Sequence, residues 1–282
     1  MERTAYRPRR EVADFAPRVR TVRLRGGRLA LARTAVVVAL LVLWQVFADV
    51  LGTVDYTSGP RQVVRQLGDW QAAGVLWEAT GVTLLETVIG FAVGSVAGAV
   101  VGLVLGWSRG FGRVIEPVVT LLYAVPKLAI APLFVLWFGI GLSSKSLFAA
   151  LVVFFLVFFT AFQGARQVDR DLLSVARVMG AGGRDLWLRV AIPQALLWIF
   201  AGLRLSLPYA LIGAVVAEFL AARTGLGYLI RSSSSVFNAD GVYAGIVLLM
   251  FFATVLLAAM QAVERRVMRW DTSPTVDADG VV

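Results

Sequence analysis

Long apolar blocks alternate with short polar segments along this chain. Because a helix needs about 20 apolar residues to cross a bilayer, blocks of this length are typical of membrane spans. The pattern predicts an all-α fold, a polytopic membrane helix bundle of about six transmembrane helices. The predicted spans cover residues 30–51, 77–106, 114–140, 146–162, 194–222 and 241–263.

The polar segments predict the domain organisation and the orientation. Residues 1–29 form a basic tail, residues 30–263 the transmembrane permease domain, and residues 264–282 a C-terminal tail. If the N-terminus is cytoplasmic, nineteen Lys and Arg residues lie on the cytoplasmic side and five on the other. The positive-inside rule then places both termini in the cytoplasm. The first apolar block is long enough to stay in the membrane, so we expect no cleaved signal peptide.

The amino-acid composition restricts which kinds of functional site the chain can have. Hydrophobic residues make up 59% of the chain and charged residues 16%, against about 45–50% and about 25% in soluble proteins. The chain has neither cysteine nor histidine, which excludes disulfides, thiolate metal sites and histidine bases, and no catalytic or metal-binding residue is predicted. The net charge of +9 is interpreted as the loop bias of a membrane protein rather than nucleic-acid binding.

Two features interrupt the regular pattern within the spans. Pro126 and Pro132 are expected to break the third span, since proline removes a helical hydrogen bond. In the second span small residues recur every fourth position and form one stripe, which allows close helix packing within the subunit, at a dimer interface or at a gate. The stripe consists of Gly90, Gly94, Gly98, Gly102 and Gly106.

The polar segment 163–193 combines helical periodicity with a rim of arginines. Apolar residues fall on one side of a first short helix, three glycines follow, and a second short amphipathic helix is expected to end at Pro193. Such a helix–turn–helix suits docking in a groove of a partner protein, although a helix lying at the membrane interface has the same pattern. The apolar residues of the first helix are Leu172, Leu173, Val175, Ala176 and Met179.

A motif within this segment resembles the EAA loop of binding-protein-dependent ABC importer permeases. In that loop, Glu-Ala-Ala is followed by three residues, Gly, nine residues and then Ile-x-Leu-Pro. The spacing matches throughout, with Ser174 at the position of the family's glutamate. The resemblance implies that the segment couples to an ATPase through Ser174, Val175, Ala176, Gly180, Ala181, Val190, Ile192 and Pro193.

Four further stretches are similar to the sulfonate/taurine/nitrate-type branch of this family. They begin at Ala124, Trp137, Gly202 and Ala217, the last together with Gly225-Leu226-Gly227. The resemblance covers roughly residues 60–262 and implies a bacterial inner-membrane subunit that forms half of a solute pathway. It further implies a second, identical permease subunit, ATPase subunits that hold ATP and Mg²⁺, and an extracytoplasmic solute-binding protein. The chain itself lacks a P-loop, because neither of its lysines follows a glycine.

Three charged residues within the spans are candidates for the solute pathway: Lys127, Arg204 and Glu218. Charges at membrane depth are costly and therefore face protein or water. For Lys127 the alternatives are an anion-facing cation, or a structural contact with a carboxylate such as Glu218 or with a carbonyl at the proline break. Glu218 either lines the pathway, braces the Gly225–Gly227 turn or pairs with Arg223, and Glu86 is expected to snorkel or pair.

The sequence leaves two other functions open. A stand-alone secondary transporter is expected to show inverted repeats and intramembrane acid relays, and no repeat is evident. An intramembrane enzyme is disfavoured by the absence of His and Cys. The leading hypothesis is therefore an importer permease for a small anionic solute such as a sulfonate, taurine or nitrate.

Overall fold

The computed structural model describes residues 26–50, 57–168 and 170–268, and within these ranges the chain is helical without strands. Most of the basic N-terminal tail and of the C-terminal tail lies outside the described residues. The α-helices are α1 (Gly26–Val50), α2 (Pro60–Ala72), α3 (Val75–Trp107), α4 (Arg109–Ala124), α5 (Ala131–Phe138), α6 (Leu142–Arg166), α7 (Arg170–Val178), α8 (Gly183–Leu186), α9 (Ile192–Ala221), α10 (Leu226–Ser235) and α11 (Ala239–Val267).

Among the described residues, five helical segments are long and apolar enough to cross a membrane: α1, α3, α6, the continuous run from α8 through α9, and α11. Their lengths range from 20 to 39 residues, and about 20 residues suffice to span the hydrocarbon core. The predicted all-α membrane bundle is confirmed with these five candidate spans, and the predicted third span is interrupted.

The broken span is the third one, as the prolines predicted, but only one of them breaks it. The chain leaves α4 at Val125, and a short 3₁₀ turn (Lys127–Ile130) leads into α5. Pro132 lies in the first turn of α5, where a proline N–H is not needed. The prediction that Pro132 also breaks the span was wrong for this reason.

Helix α6 forms the centre of the bundle and packs against α3 and α9. In its most apolar stretch 61% of the residues are buried, compared with 6% in α1 and α11. The glycine stripe of α3 lies directly on α6. A Cβ atom at Gly94 would come within 2.4 Å of the Ala150 carbonyl oxygen, and one at Gly98 within 2.7 Å of the Phe154 carbonyl oxygen. The stripe therefore serves packing inside the subunit.

Two predicted boundaries were wrong. Residues 141–145, which separate the third and fourth predicted spans, are helical from Leu142, so Lys145 belongs to α6. The second short helix does not end at Pro193, since a π-helical turn (Trp187–Ala191) carries it into α9. The Ile192 N–H donates to the Trp187 carbonyl five residues earlier. This wider turn accommodates Pro193, which has no N–H to continue the α-helical pattern.

The remaining helices cover the periphery. Helix α2 packs on α11 through a cluster around Val63, Trp70 and Ala244. The indole N–H of Trp44 in α1 donates to the Ser58 carbonyl oxygen at 2.9 Å. Asn238 caps α11 by accepting a hydrogen bond from the Gly241 N–H at 3.1 Å.

Candidate functional site

A helix–turn–helix formed by α7 and α8 lies at one end of the bundle. Helix α7 ends in a Schellman motif: the Gly180 N–H donates to the Arg177 carbonyl at 2.9 Å, and the Ala181 N–H donates to the Ala176 carbonyl at 3.0 Å. Gly180 has φ +88°, a left-handed conformation that favours glycine. The glycine of the motif is therefore the residue that ends α7 and turns the chain into α8.

The helix–turn–helix has a small core of its own. Val168, Leu173, Leu186 and Ala191 are buried together, and Ala176, Ala181 and Val190 pack around them. Trp107 at the end of α3 completes this core, with its ring 6.1 Å from that of Trp187 and nearly perpendicular to it. The segment is thus anchored to the membrane bundle through the end of α3.

The outer face of α7 is apolar and exposed. Val178 is 88% exposed, Met179 82% and Val175 57%, and Leu172 extends the same surface. We call these four residues the α7 face. The sequence placed Leu173 and Ala176 on this face as well, but both contact the internal core. The short helix is apolar on two sides, and helical periodicity alone did not separate them.

The other predicted coupling residues divide between surface and core. Ser174 is exposed beside the α7 face, and Gly180 forms the turn. Ile192 and Pro193 are half-buried in the first turn of α9, where they connect the helix–turn–helix to a span. The motif residues therefore form one continuous path from an exposed surface to a membrane helix.

A second candidate site lies at the opposite end of the bundle, around Glu218. Helix α3 connects the two ends of the bundle. Glu86 at this end and Trp107 at the other are 21 positions apart on α3, or about 30 Å at the helical rise per residue. Glu218 is fully buried. Its Oε1 accepts a hydrogen bond from the Thr83 hydroxyl at 2.7 Å, and its Oε2 accepts one from the Gly227 N–H at 2.6 Å.

These contacts cap the N-terminus of α10 with side chains from two other helices. The Leu226 N–H donates to the Thr83 hydroxyl oxygen at 2.8 Å, so the first two amides of α10 both find acceptors on other helices. The first amides of a helix have no partners within it, and a carboxylate there is favoured by the helix dipole. Of the three predicted roles for Glu218, the structure shows the brace of the Gly225–Gly227 turn, and Glu218 does not pair with Arg223 among the contacts of the described residues.

The glycines of this turn allow the carboxylate to approach. A Cβ at Gly225 would lie 2.1 Å from Oε1 of Glu218, and one at Gly227 would lie 2.7 Å from Oε2. Gly225 also has φ +118°. Both positions therefore require glycine while Glu218 holds the turn.

Sequence reasoning missed the partner of Glu86. Lys145 forms an ion pair with Glu86, and the two side chains are 7% and 0% exposed. Lys145 lies just before the fourth predicted span, where the sequence predicts a polar connection, and no motif singles out Thr83. A glutamate in one apolar block and a lysine at the edge of another were a usable signal, because buried charges require partners, but their proximity depends on how α3 and α6 pack.

Lys127 contacts the proline break. Its ammonium group donates to the Tyr123 carbonyl oxygen at 2.8 Å and lies 4.8 Å and 5.3 Å from the ring centres of Tyr123 and Phe155. In a continuous helix that carbonyl would accept from the backbone N–H of Lys127. The side chain replaces this lost bond, and the alternative pair with Glu218 does not form, since Glu218 is engaged with α3 and α10.

Arg204 pairs with Glu264 and so links α9 to α11. Its side chain is 48% exposed. The three residues predicted for the solute pathway therefore do not form one site: Glu218 is buried in the bundle, Lys127 lies at the proline break, and Arg204 lies on the α9–α11 surface.

The comparisons with known proteins decide the family. Residues 71–269 match the model of the binding-protein-dependent transport system inner membrane component. The chain belongs to this family. The match includes both ends of the bundle described above, whereas the basic tail lies outside it. The chain is accordingly a multi-pass membrane permease, and it is similar to transport subunits rather than to enzymes.

Several relatives match the permease over most of its length, and two of them illustrate the range of named solutes. It is 37% identical over 265 residues to the riboflavin transport system permease protein RibX of Chloroflexus aurantiacus, covering 93% of this chain and 98% of that protein. It is 34% identical over 236 residues to the putative aliphatic sulfonates transport permease protein SsuC of Escherichia coli, covering 83% and 89%. The second match confirms the resemblance to the sulfonate branch.

A solved structure has the same fold. A chain of the MetNI methionine ABC transporter in an inward-facing conformation matches with a TM-score of 0.59 at 20% identity, covering 70% of this chain and 96% of that chain. The permease therefore shares its helical fold with a chain of an ABC transporter of known structure.

Proposed function

We propose that this chain is the transmembrane permease subunit of an ATP-driven importer, in which two copies form the solute pathway and separate ATPase subunits supply the energy. The observation that carries the proposal is the α7 face: Val175, Val178 and Met179 are exposed on a helix that is firmly held from behind by its own core. An apolar surface on a rigid support is typical of a protein-docking site.

The path from this surface into the bundle supports a coupling role. The helix–turn–helix contacts Trp107 at the end of α3 and continues through the π-helical turn into α9. Movement of α7 would therefore act directly on two membrane helices, one of which packs against α6 through glycines. A bistable helix bundle biased from one end has the physical form of such a device.

The orientation and partners follow from this role. The helix–turn–helix and both termini face the cytoplasm, where the ATPase subunits bind ATP and Mg²⁺. An extracytoplasmic binding protein delivers solute to the opposite end, near the Glu218 brace. The charge distribution of the loops supports this orientation.

For the solute, we favour a small molecule that carries an anionic group, such as a sulfonate, taurine or nitrate. The similarity to a permease named for aliphatic sulfonates supports this choice, and the similarity to one named for riboflavin adds a planar heterocycle to the test. Screening the cognate binding protein against sulfonates, taurine, nitrate and riboflavin by calorimetry distinguishes these classes. Binding of riboflavin alone would overturn the anion assignment and leave the permease role intact.

Docking is tested by charge substitution on the α7 face. The double variant Val178→Glu/Met179→Glu is expected to lose co-purification with the ATPase subunit without a change in thermal unfolding, because both side chains are exposed. Val236→Glu is the matched control, since Val236 is 72% exposed in the loop between α10 and α11. Retained ATPase binding by the double variant would contradict the docking assignment.

Coupling is tested at the turn. Gly180→Val is expected to raise the ATP consumed per solute transported in reconstituted vesicles, since a β-branched residue strains the left-handed turn. An unchanged ratio would argue against coupling through this segment. Full transport by the purified chain without an ATPase would instead establish the alternative, a stand-alone secondary transporter.

A further inference from the structure

Three ionisable side chains are buried together at the end of the bundle opposite the α7 face. Glu86 of α3 and Glu218 of α9 are both 0% exposed, and Lys145 of α6 is 6% exposed. We call these three residues the Glu86 cluster. If all three were ionised, two carboxylates and one ammonium would leave one negative charge in the interior of a membrane protein.

The hydrogen bonds of the cluster do not balance this charge. Glu218 accepts from Thr83 and from the Gly227 amide, and Glu86 pairs with Lys145. Apart from Lys145, no donor among the residues that the structure describes reaches the carboxylate of Glu86. Glu86 lies one helical turn from Thr83, whose hydroxyl donates to Glu218, so both carboxyl groups belong to one buried site. A hydrogen bond between two carboxyl groups requires that one of them carry a proton.

The surroundings offer no other compensating charge among the described residues. A cavity of about 410 Å³ borders Glu86 and Lys145, and Arg223 lies on its wall. Arg223 is exposed, and no ion pair joins it to the cluster among the contacts of the described residues. A net charge left in a buried site is strongly unfavourable unless a partner or a proton neutralises it.

From this geometry we infer that Glu86 and Glu218 share one bound proton, which makes the Glu86 cluster neutral. The shared proton converts two repelling carboxylates into a hydrogen-bonded pair and joins α3 directly to α9. A continuous polar chain then runs from Lys145 through Glu86, Glu218 and Thr83 to the first amides of α10. The proton is thus a structural component of the brace that holds the Gly225–Gly227 turn.

Infrared spectroscopy of the purified full-length chain tests the inference without using transport. At neutral pH, the wild type is expected to show the carbonyl stretch of a protonated carboxyl, shifted in D₂O. The band should disappear in Glu86→Gln and also in Glu218→Gln, because the single remaining carboxylate ionises against Lys145. The control is Glu78→Gln, on the same helix but exposed, which should keep the band.

Thermal unfolding provides the second measurement. Each single Gln variant keeps a neutral cluster and a hydrogen-bond donor, so its midpoint should stay near that of the wild type. The double variant Glu86→Gln/Glu218→Gln leaves Lys145 unpaired and should lose more than the two single losses together. Adding Lys145→Met to the double variant should recover part of the loss, because removing both charges of a buried pair is less harmful than removing one.

Two results would overturn the inference. One is the absence of a protonated carboxyl band in the wild type, or its persistence in both single Gln variants. The other is an unfolding midpoint that rises specifically with Na⁺ or K⁺ relative to choline at constant ionic strength, which would assign the compensating charge to a metal cation in the cavity. Because neither measurement involves ATP or solute, a negative result would overturn the shared proton without bearing on the permease role.

Discussion

The two ends of the bundle differ in which side chains they expose and which they bury. At the α7 face, apolar side chains are exposed to solvent, and at the Glu86 cluster charged side chains are withdrawn from it. The contrast fits the proposed roles, in which the α7 face docks on a partner and the Glu86 cluster holds helices of one chain together.

Removing Lys145 from the Glu86 cluster should cause the largest loss in the free energy of unfolding. Lys145→Met removes the partner of Glu86, and breaking a buried pair costs about 3–5 kcal/mol. Chemical unfolding of the purified permease measures the loss. The matched control is Lys127→Met, where the side chain contacts only a carbonyl and two rings among the described residues. Equal losses in the two variants would contradict the difference drawn between these lysines.

Substitution in the glycine stripe, which lies between the two ends, should cause the next largest loss of stability. In Gly94→Ala the new methyl group meets the Ala150 carbonyl oxygen, and overpacking of this kind costs about 1–3 kcal/mol. Gly81→Ala on the same helix has nothing within 4 Å of the new Cβ and should stabilise α3 by up to about 1 kcal/mol. Unfolding midpoints in detergent would then move in opposite directions, and a shared direction would refute close α3–α6 contact.

In the turn that follows α7 we expect a local loss of stability of intermediate size. Gly180→Ala places a Cβ in a left-handed turn and should cost about 1 kcal/mol, seen as faster amide hydrogen exchange in α7 with little change in α6. Gly183→Ala, at a position with open space and no positive φ, should leave exchange unchanged. Faster exchange throughout the bundle would mean that the two ends are one cooperative unit.

The smallest effect should come from the exposed ion pair between α9 and α11. Arg204→Gln removes the partner of Glu264, and a pair this exposed contributes about 0.2–1 kcal/mol. Unfolding measured at low and high salt should show the difference shrinking as salt is added. A large loss that is insensitive to salt would assign Arg204 to a buried role.

The α7–α8 turn shows how far a local motif can be interpreted. The spacing of Gly180 and Pro193 identified the helix–turn–helix, and the Schellman geometry explains why a glycine stands there. The same motif did not reveal that Leu173 and Ala176 face inward, because that depends on Trp107 from a distant helix. The end of the second helix was misplaced for a related reason, since a π-helical turn absorbs Pro193.

The sequence alone was sufficient for features that depend on local chemistry: apolar blocks long enough to lie in lipid, a proline that breaks one of them, a glycine stripe that permits close packing, and a helix–turn–helix motif with fixed spacing. Which charged side chains meet depends instead on how the helices pack. Glu86, Lys145 and Glu218 are separated by 59 and 73 positions in the chain and come together because α3 and α9 both pack on α6. Pairing between helices is a property of their packing, and no periodicity within a single helix encodes it.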